Sequence, residues 1–292
     1  MKLEKKRMKS IIKYGCGLLC LCLATACSED KINESELPVI EAEYTLPQGK
    51  SEADDRIVSF YKKYGTYILY DFVEADLKWT QVEVNSGWGG YQYIPADPQY
   101  AGEVMDFLTE WVFSFYPEHF LMEILPYKIF LTSDLTDFYG QKRGAQIYST
   151  QMVIANCSKK ITKFSKAEKI AFKNELHTAF FNSGFSLFQI PEDFYKISDY
   201  TSAVTYWEPS SENSPRNRGF LADSNGNEWC YTPPFNENMD LQTYLYHLRT
   251  RTKEEWKADL AYPLVEQKYN ILKEYFKFEL NIDLEAIAEK VE

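Results

Sequence analysis

Apolar side chains recur at helical spacing between Ser51 and Tyr64, at Ile57, Phe60 and Tyr61, and the run closes on Gly65, which predicts a helix. Tyr67 to Phe72 and Leu77 to Val84 are rich in β-formers and predict two strands, followed by a turn over Asn85 to Gly90. Pro98 opens a second helix reaching Phe115, after which Tyr127 to Thr132 and Ala145 to Ala155 return to strand chemistry. Helices then take over. Ser165 followed by Glu168 is a capping box, and the helix it starts runs to about Asn182, with Gly184 as its stop signal. Pro209 to Arg218 reads as a polar loop, and further helices start near Met239 and at Thr252, where Glu255 completes another capping box. Pro263 occupies the first turn of the last long helix, whose expected apolar stripe is Leu264, Ile271, Tyr275 and Phe278. The pattern predicts an α+β fold with a strand-rich N-terminal half and a helical C-terminal half.

The first 50 residues follow a different logic. Six basic residues between Lys2 and Lys13 precede an apolar run from Tyr14 to Ala26 that is too short to span a bilayer, which is the pattern of a signal peptide over residues 1–26. Leu23-Ala24-Thr25-Ala26-Cys27 resembles the lipobox of bacterial lipoproteins, in which the cysteine becomes the lipidated first residue. Ser28, Glu29 and Asp30 resemble the surface-export signal of lipoproteins in the Bacteroidetes, so the resemblance implies an outer-membrane address facing the cell surface. Residues 27–50 are polar and acidic and read as a tether, leaving residues 51–292 as the folded domain.

The 292 residues are 45% hydrophobic and 16% aromatic, enough for a sizeable core and incompatible with disorder throughout. Acidic residues outnumber basic ones by 43 to 32, and loss of residues 1–26 would take the formal net charge from −11 to −16. Such a balance repels phosphate backbones and excludes nucleic acid as an expected partner. Only Cys157 and Cys230 would remain as thiols in the exported domain, either as a disulfide or as two buried thiols.

Candidate chemistry centres on the capped helix, which carries Asn174, Glu175, Leu176, His177 and Thr178. Zinc peptidases keep H-E-x-x-H at such a place, with two histidines one helical turn apart holding the metal and the glutamate polarising its water. Here only Glu175 matches. His177 lies off the face that both ligands would share and is expected to be structural. His119 and His247 complete the histidines of the chain, and no pair has ligand spacing. No Gly-x-Ser-x-Gly is present, and Gly87-Trp88-Gly89-Gly90 reads as a hairpin turn.

The order of these features, with Tyr67 to Phe72, Gly219-Phe220-Leu221-Ala222, Glu254-Glu255-Trp256, Val265 to Lys268, Lys273 to Phe276 and Ile282-Asp283-Leu284, resembles the zinc-binding metallopeptidase family of Bacteroidetes lipoproteins. That resemblance implies a zincin-like domain whose third zinc ligand, a glutamate, would fall at Thr243. Asn174, Thr178 and Thr243 would then replace all three zinc ligands, leaving Glu175 as a vestigial general base and no expected cofactor. Thr178 and Thr243 hydroxyls, or ordered water, are expected to hold the Glu175 carboxylate. The implied function is a pseudoenzyme binding polypeptide or glycan, with membrane contact through lipid on Cys27. Trp88, Trp207 and Trp229 are candidate ligand contacts. The alternative is an active metallopeptidase with an atypical metal site around Glu175, its ligands drawn from Asp240 or Glu237.

Overall fold

The computed structural model describes residues 44–77, 91–137, 139–148, 150–222 and 237–292. Tyr44–Glu292 form one compact unit. Its first half contains α1 (Asp54–Tyr64), β1 (Tyr67–Leu69), α2 (Glu74–Leu77), β2 (Gln92–Pro95), α3 (Ala101–Trp111), α4 (Glu118–Ile124), β3 (Lys128–Thr136), β4 (Ala145–Tyr148) and β5 (Gln151–Ile154). The second half is helical: α5 (Lys166–Gly184), α6 (Glu192–Lys196), α7 (Glu237–Thr250), α8 (Lys253–Trp256), α9 (Pro263–Glu274) and α10 (Leu284–Glu289).

The sheet runs in the order β1-β3-β5-β4. β1, β3 and β5 are parallel, and β4 pairs antiparallel with β5 from Ala145↔Ile154 to Tyr148↔Gln151. β2 pairs antiparallel with β3, starting at Gln92↔Thr136. Both faces of the central strands are buried, which is why these strands are apolar without alternation. Ile68, Ile129, Leu131, Met152 and Ile154 join the main core with the helices, while Tyr67, Leu69, Phe130 and Val153 face a second cluster packed by Tyr44, Tyr61 and Phe72.

Several sequence expectations change. The apolar stretch from Ala145 to Ala155 is a hairpin of two strands, not one strand. Leu77 ends the short helix α2, and the rest of the expected strand from Leu77 to Val84 lies outside the described residues, as do the turn at Asn85 to Gly90 and everything assigned to the signal peptide. The end of the expected tether is packed: the Tyr44 ring meets Tyr67 edge-on at 5.5 Å, the Gln48 side chain accepts from Tyr70 N–H at 2.9 Å, and Lys50 N–H donates to the Tyr70 hydroxyl at 2.9 Å. Gly184 does not cap α5 in a left-handed conformation; its φ is −91°, and a Cβ there would meet Ile124 Cγ2 at 2.5 Å, so glycine serves close helix packing. α8, although capped by Thr252 and Glu255 as expected, is a single turn.

The last long helix also buries a different face. Val265, Lys268, Tyr269, Leu272 and Phe276 point inward, whereas Leu264, Ile271 and Tyr275 are half-buried and Phe278 is 74% exposed. Lys268 explains the discrepancy. Its ammonium donates to Asp240 Oδ2 at 2.6 Å, both residues being essentially inaccessible, and Tyr200 OH donates to the same oxygen at 2.7 Å. The rings of Phe194, Tyr200, Phe220 and Tyr244 surround the ammonium at 4.8 to 5.5 Å. A hydropathy reading passes over a lysine, but this one is a core residue of α9.

Removing one partner of such a pair strands the other charge. Lys268→Met is expected to destabilise the unit by about 3–5 kcal/mol in urea unfolding, and Asp240→Asn added to it should recover most of that loss. Equal destabilisation by the single and double variants would show that the stranded Asp240 charge is not the cause of the loss.

Candidate functional site

α5 positions the candidate residues. Ser165 Oγ accepts from Glu168 N–H at 3.3 Å while Glu168 Oε2 accepts from Ser165 N–H at 3.0 Å, so the capping box fixes the start of the helix. From there Phe172, Leu176, Phe180 and Phe181 face the core, and Asn174, Glu175 and Thr178 lie on the more open side at helical spacing. That side and strand β4 wall a cavity of about 530 Å³ lined by Asn174, Glu175 and Thr178 from the helix and by Ala145, Gln146 and Ile147 from the strand. β4 is the edge strand of the β1-β3-β5-β4 path.

Glu175 does not meet the expected partners. Its Oε2 accepts from Gly144 N–H at 2.5 Å, clasping the backbone that leads into β4. A Cβ at position 144 would come within 2.7 Å of Phe172 Cδ2, so only glycine lets the strand approach this closely. The threonine hydroxyls turn back on their own helices instead: Thr178 Oγ1 donates to Asn174 O at 2.8 Å and Thr243 Oγ1 donates to Met239 O at 2.8 Å. Asn174 Oδ1 is buried without a hydrogen-bond partner among the described residues.

A second cavity, of about 370 Å³, lies between α5 and α7 and brings Thr178 together with Thr243. Thr178, Asn182 and Tyr246 line both cavities. The four positions singled out by the resemblance, Asn174, Glu175, Thr178 and Thr243, therefore gather along one cleft. Sequence reasoning missed three participants: Gly144, which fixes Glu175, and Tyr246 and Arg249, which line the second cavity.

Zinc, implied by the family resembled, does not fit this donor set. Asn174, Thr178 and Thr243 offer neutral oxygens where zinc favours imidazole, thiolate or carboxylate, and both hydroxyl protons are committed to backbone carbonyls. Among the described residues, no group of three or more His, Cys, Asp or Glu is placed to hold a metal ion. The carboxylates suggested for an atypical site are also unavailable. Asp240 is bound to Lys268 and Tyr200, and Glu237, at the start of α7, is exposed and lines neither cavity.

His177 is structural. Its Nε2 lies 2.9 Å from Trp111 O, which can only accept, so Nε2 carries the proton and Nδ1 accepts from the Tyr116 hydroxyl at 2.5 Å. Burial holds its pKa down at about 3. His247 Nε2 bonds Ala222 O at 2.8 Å and His119 is exposed. Cys157 is a buried free thiol whose pKa burial raises to about 12, while Cys230 lies outside the described residues. Trp207 is 70% exposed, packs edge-on against Tyr206, and lines neither cavity. Trp88 and Trp229 lie outside the described residues.

Among solved structures, the chain is similar to a putative zinc-binding metallo-peptidase from Bacteroides caccae, at 14% identity and a TM-score of 0.50, over 80% of this chain and 88% of that one. No family model and no curated protein matches the chain. The likeness is one of fold, an α+β unit whose N-terminal half mixes strands and helices and whose C-terminal half is helical.

The buried imidazole has a consequence for acid stability. Below the ordinary histidine pKa of 6.5 the unfolded chain takes up a proton that the folded ring refuses until about pH 3. Stability should therefore fall with falling pH across that window, by about 1.4 kcal/mol per pH unit from this residue alone. His177→Gln is expected to be less stable at pH 7.5 but to show a shallower loss between pH 6.5 and 4.5, by about one proton, in urea melts at each pH. An unchanged slope would mean that the ring is protonated in the fold.

Proposed function

We propose that this chain is a non-catalytic, zincin-like binding protein that holds an extended polypeptide in the cleft between β4 and α5, without zinc and without cleaving it. The observation that carries this reading is the cleft itself: an edge strand faces a helix across about 530 Å³, while the three ligand positions are Asn174, Thr178 and Thr243. An edge strand presents unpaired backbone groups to which a peptide can add as a further strand, with affinity from main-chain hydrogen bonds. Glu175, the general base in the family resembled, acts here as a tie to Gly144. Polypeptide is favoured over glycan because Trp207 stands away from both cavities, leaving no exposed tryptophan at the cleft among the described residues.

The N-terminal sequence supports the rest of the proposal. Residues 1–26 serve as a lipoprotein signal, Cys27 is lipidated, and the acidic segment that follows carries the domain to the outside of the outer membrane. Two acyl chains at Cys27 would anchor it stably, and among the described residues no helix is long and apolar enough to cross a membrane.

The test adds denatured casein to the lipidated protein and follows hydrogen exchange and the mass of both partners. The expected result is a mature chain beginning at a lipidated Cys27, casein left intact, and slowed exchange over residues 144–148 and 174–182. Metal-dependent cleavage of casein that Glu175→Gln abolishes would overturn the non-catalytic reading. An unmodified N-terminus elsewhere would overturn the address.

A further inference from the structure

Arg249, in the last turn of α7, is only 4% exposed, yet no hydrogen bond or ion pair holds it among the described residues. Its Cζ lies 4.0 Å from the centroid of the Phe181 ring, and its Nε has no partner. The other buried cations are all satisfied: Lys268 by Asp240, Lys173 by the carbonyls of Ile287 and Lys290 at 2.6 and 3.1 Å, and Lys128 by the Tyr44 hydroxyl at 3.4 Å. A cation this buried without a carboxylate partner is costly, and an anion in the adjoining cavity would offset that cost.

The surroundings say which anion. Arg249 lines the 370 Å³ cavity, a size within the usual range for small-ligand sites. The polar groups sharing its wall are neutral hydroxyls and amides, from Thr178, Thr243, Tyr246, Asn182, Asn238 and Gln242, and among the described residues no Asp or Glu lines it.

We propose that the cavity is a carboxylate-binding site in which the Arg249 guanidinium takes the anion through its two terminal amines. Arginine presents two parallel N–H groups that match the two oxygens of a carboxylate. A single cation among neutral donors balances one negative charge, and the acidic surplus of the chain opposes a dianion such as a phosphate monoester. Burial lowers the Arg249 pKa to about 10, so it remains ionised at neutral pH. The face of Phe181 covers the cation from behind, and Phe185, Met239 and Leu245 add apolar wall for a short aliphatic group next to the carboxylate. The cavity continues into the β4–α5 cleft through Thr178, Asn182 and Tyr246. A polypeptide C-terminus lying in that cleft, or a free small acid, would present the required group; only the first of these carriers rests on the polypeptide reading above.

The test uses the full chain, labelled with nitrogen-15 for NMR of the Arg249 Nε–H, and three probes: N-acetyl-Ala-Leu with a free carboxylate, the same dipeptide as its C-terminal amide, and isovalerate. The free dipeptide is expected to shift the Nε–H resonance and to bind at least tenfold more tightly than the amide, and Arg249→Met should remove that preference. Binding of isovalerate without the dipeptide would keep the carboxylate site and refute the polypeptide carrier. Equal binding of dipeptide acid and amide, with the Nε–H unmoved, would overturn the site while leaving the polypeptide reading standing. No shift of the Nε–H by any probe would overturn it as well, and this arm does not depend on the variant folding.

Discussion

The bond between Lys268 and Asp240 sets where α7 lies, and most of the candidate site follows from it. Burial pushes the Asp240 carboxyl upward and the Lys268 ammonium downward, so each charge persists only through the other, with Tyr200 donating to the same carboxylate. The pair and its four enclosing rings join α6, α7, α9 and the segment between α6 and α7 into one piece. Tyr244, one turn after Asp240, extends the same seam by donating to Gly219 O at 3.0 Å. With Asp240 and Tyr244 fixed on that side, Thr243, Tyr246 and Arg249 are left to line the cavity against α5. One interaction thus withdraws the carboxylate of α7 from the cleft and presents a threonine and an arginine to it.

The opposite wall is held by a simpler device. Glu175 reaches from α5 to the backbone at Gly144, whose missing side chain allows strand and helix to meet over Phe172. In a zinc peptidase a glutamate at this point would face a metal-bound water. Here its carboxylate satisfies a backbone N–H, while the flanking threonine donates to the helix, and the residues read as ligands by analogy offer only neutral oxygens. The cleft lies between an edge strand and a helix, and the chemistry at Glu175 is that of a clasp.

Much of this was legible in the sequence where the signal is local. The capping boxes at Ser165 and Thr252, the apolar strands of the parallel sheet, and the face shared by Asn174, Glu175 and Thr178 all appear as expected, because each depends on residues within a turn or two. Errors arose where a distant contact decides. Lys268 shifts the buried face of α9 because its partner is 28 residues away, and Gly184 looks like a stop signal until Ile124 is seen beside it. Between β4 and β5 the chain carries neither glycine nor proline, so no turn signal of that kind separates the two strands. Tyr44 to Lys50 look like tether because they have no period of their own, yet they pack through Tyr67 and Tyr70. That Arg249 has no acceptor among the described residues is a fact of tertiary structure that no spacing records.

Whether Asn174, Thr178 and Thr243 can hold zinc is tested most directly by a zinc titration. The native chain and a variant carrying Asn174→His, Thr178→His and Thr243→Glu would be titrated calorimetrically with zinc and their metal content measured after dialysis. The expected result is no retained zinc in the native chain and about one equivalent, removable by chelator, in the variant. One equivalent retained by the native chain, with a loss of thermal stability when a chelator removes it, would contradict the account.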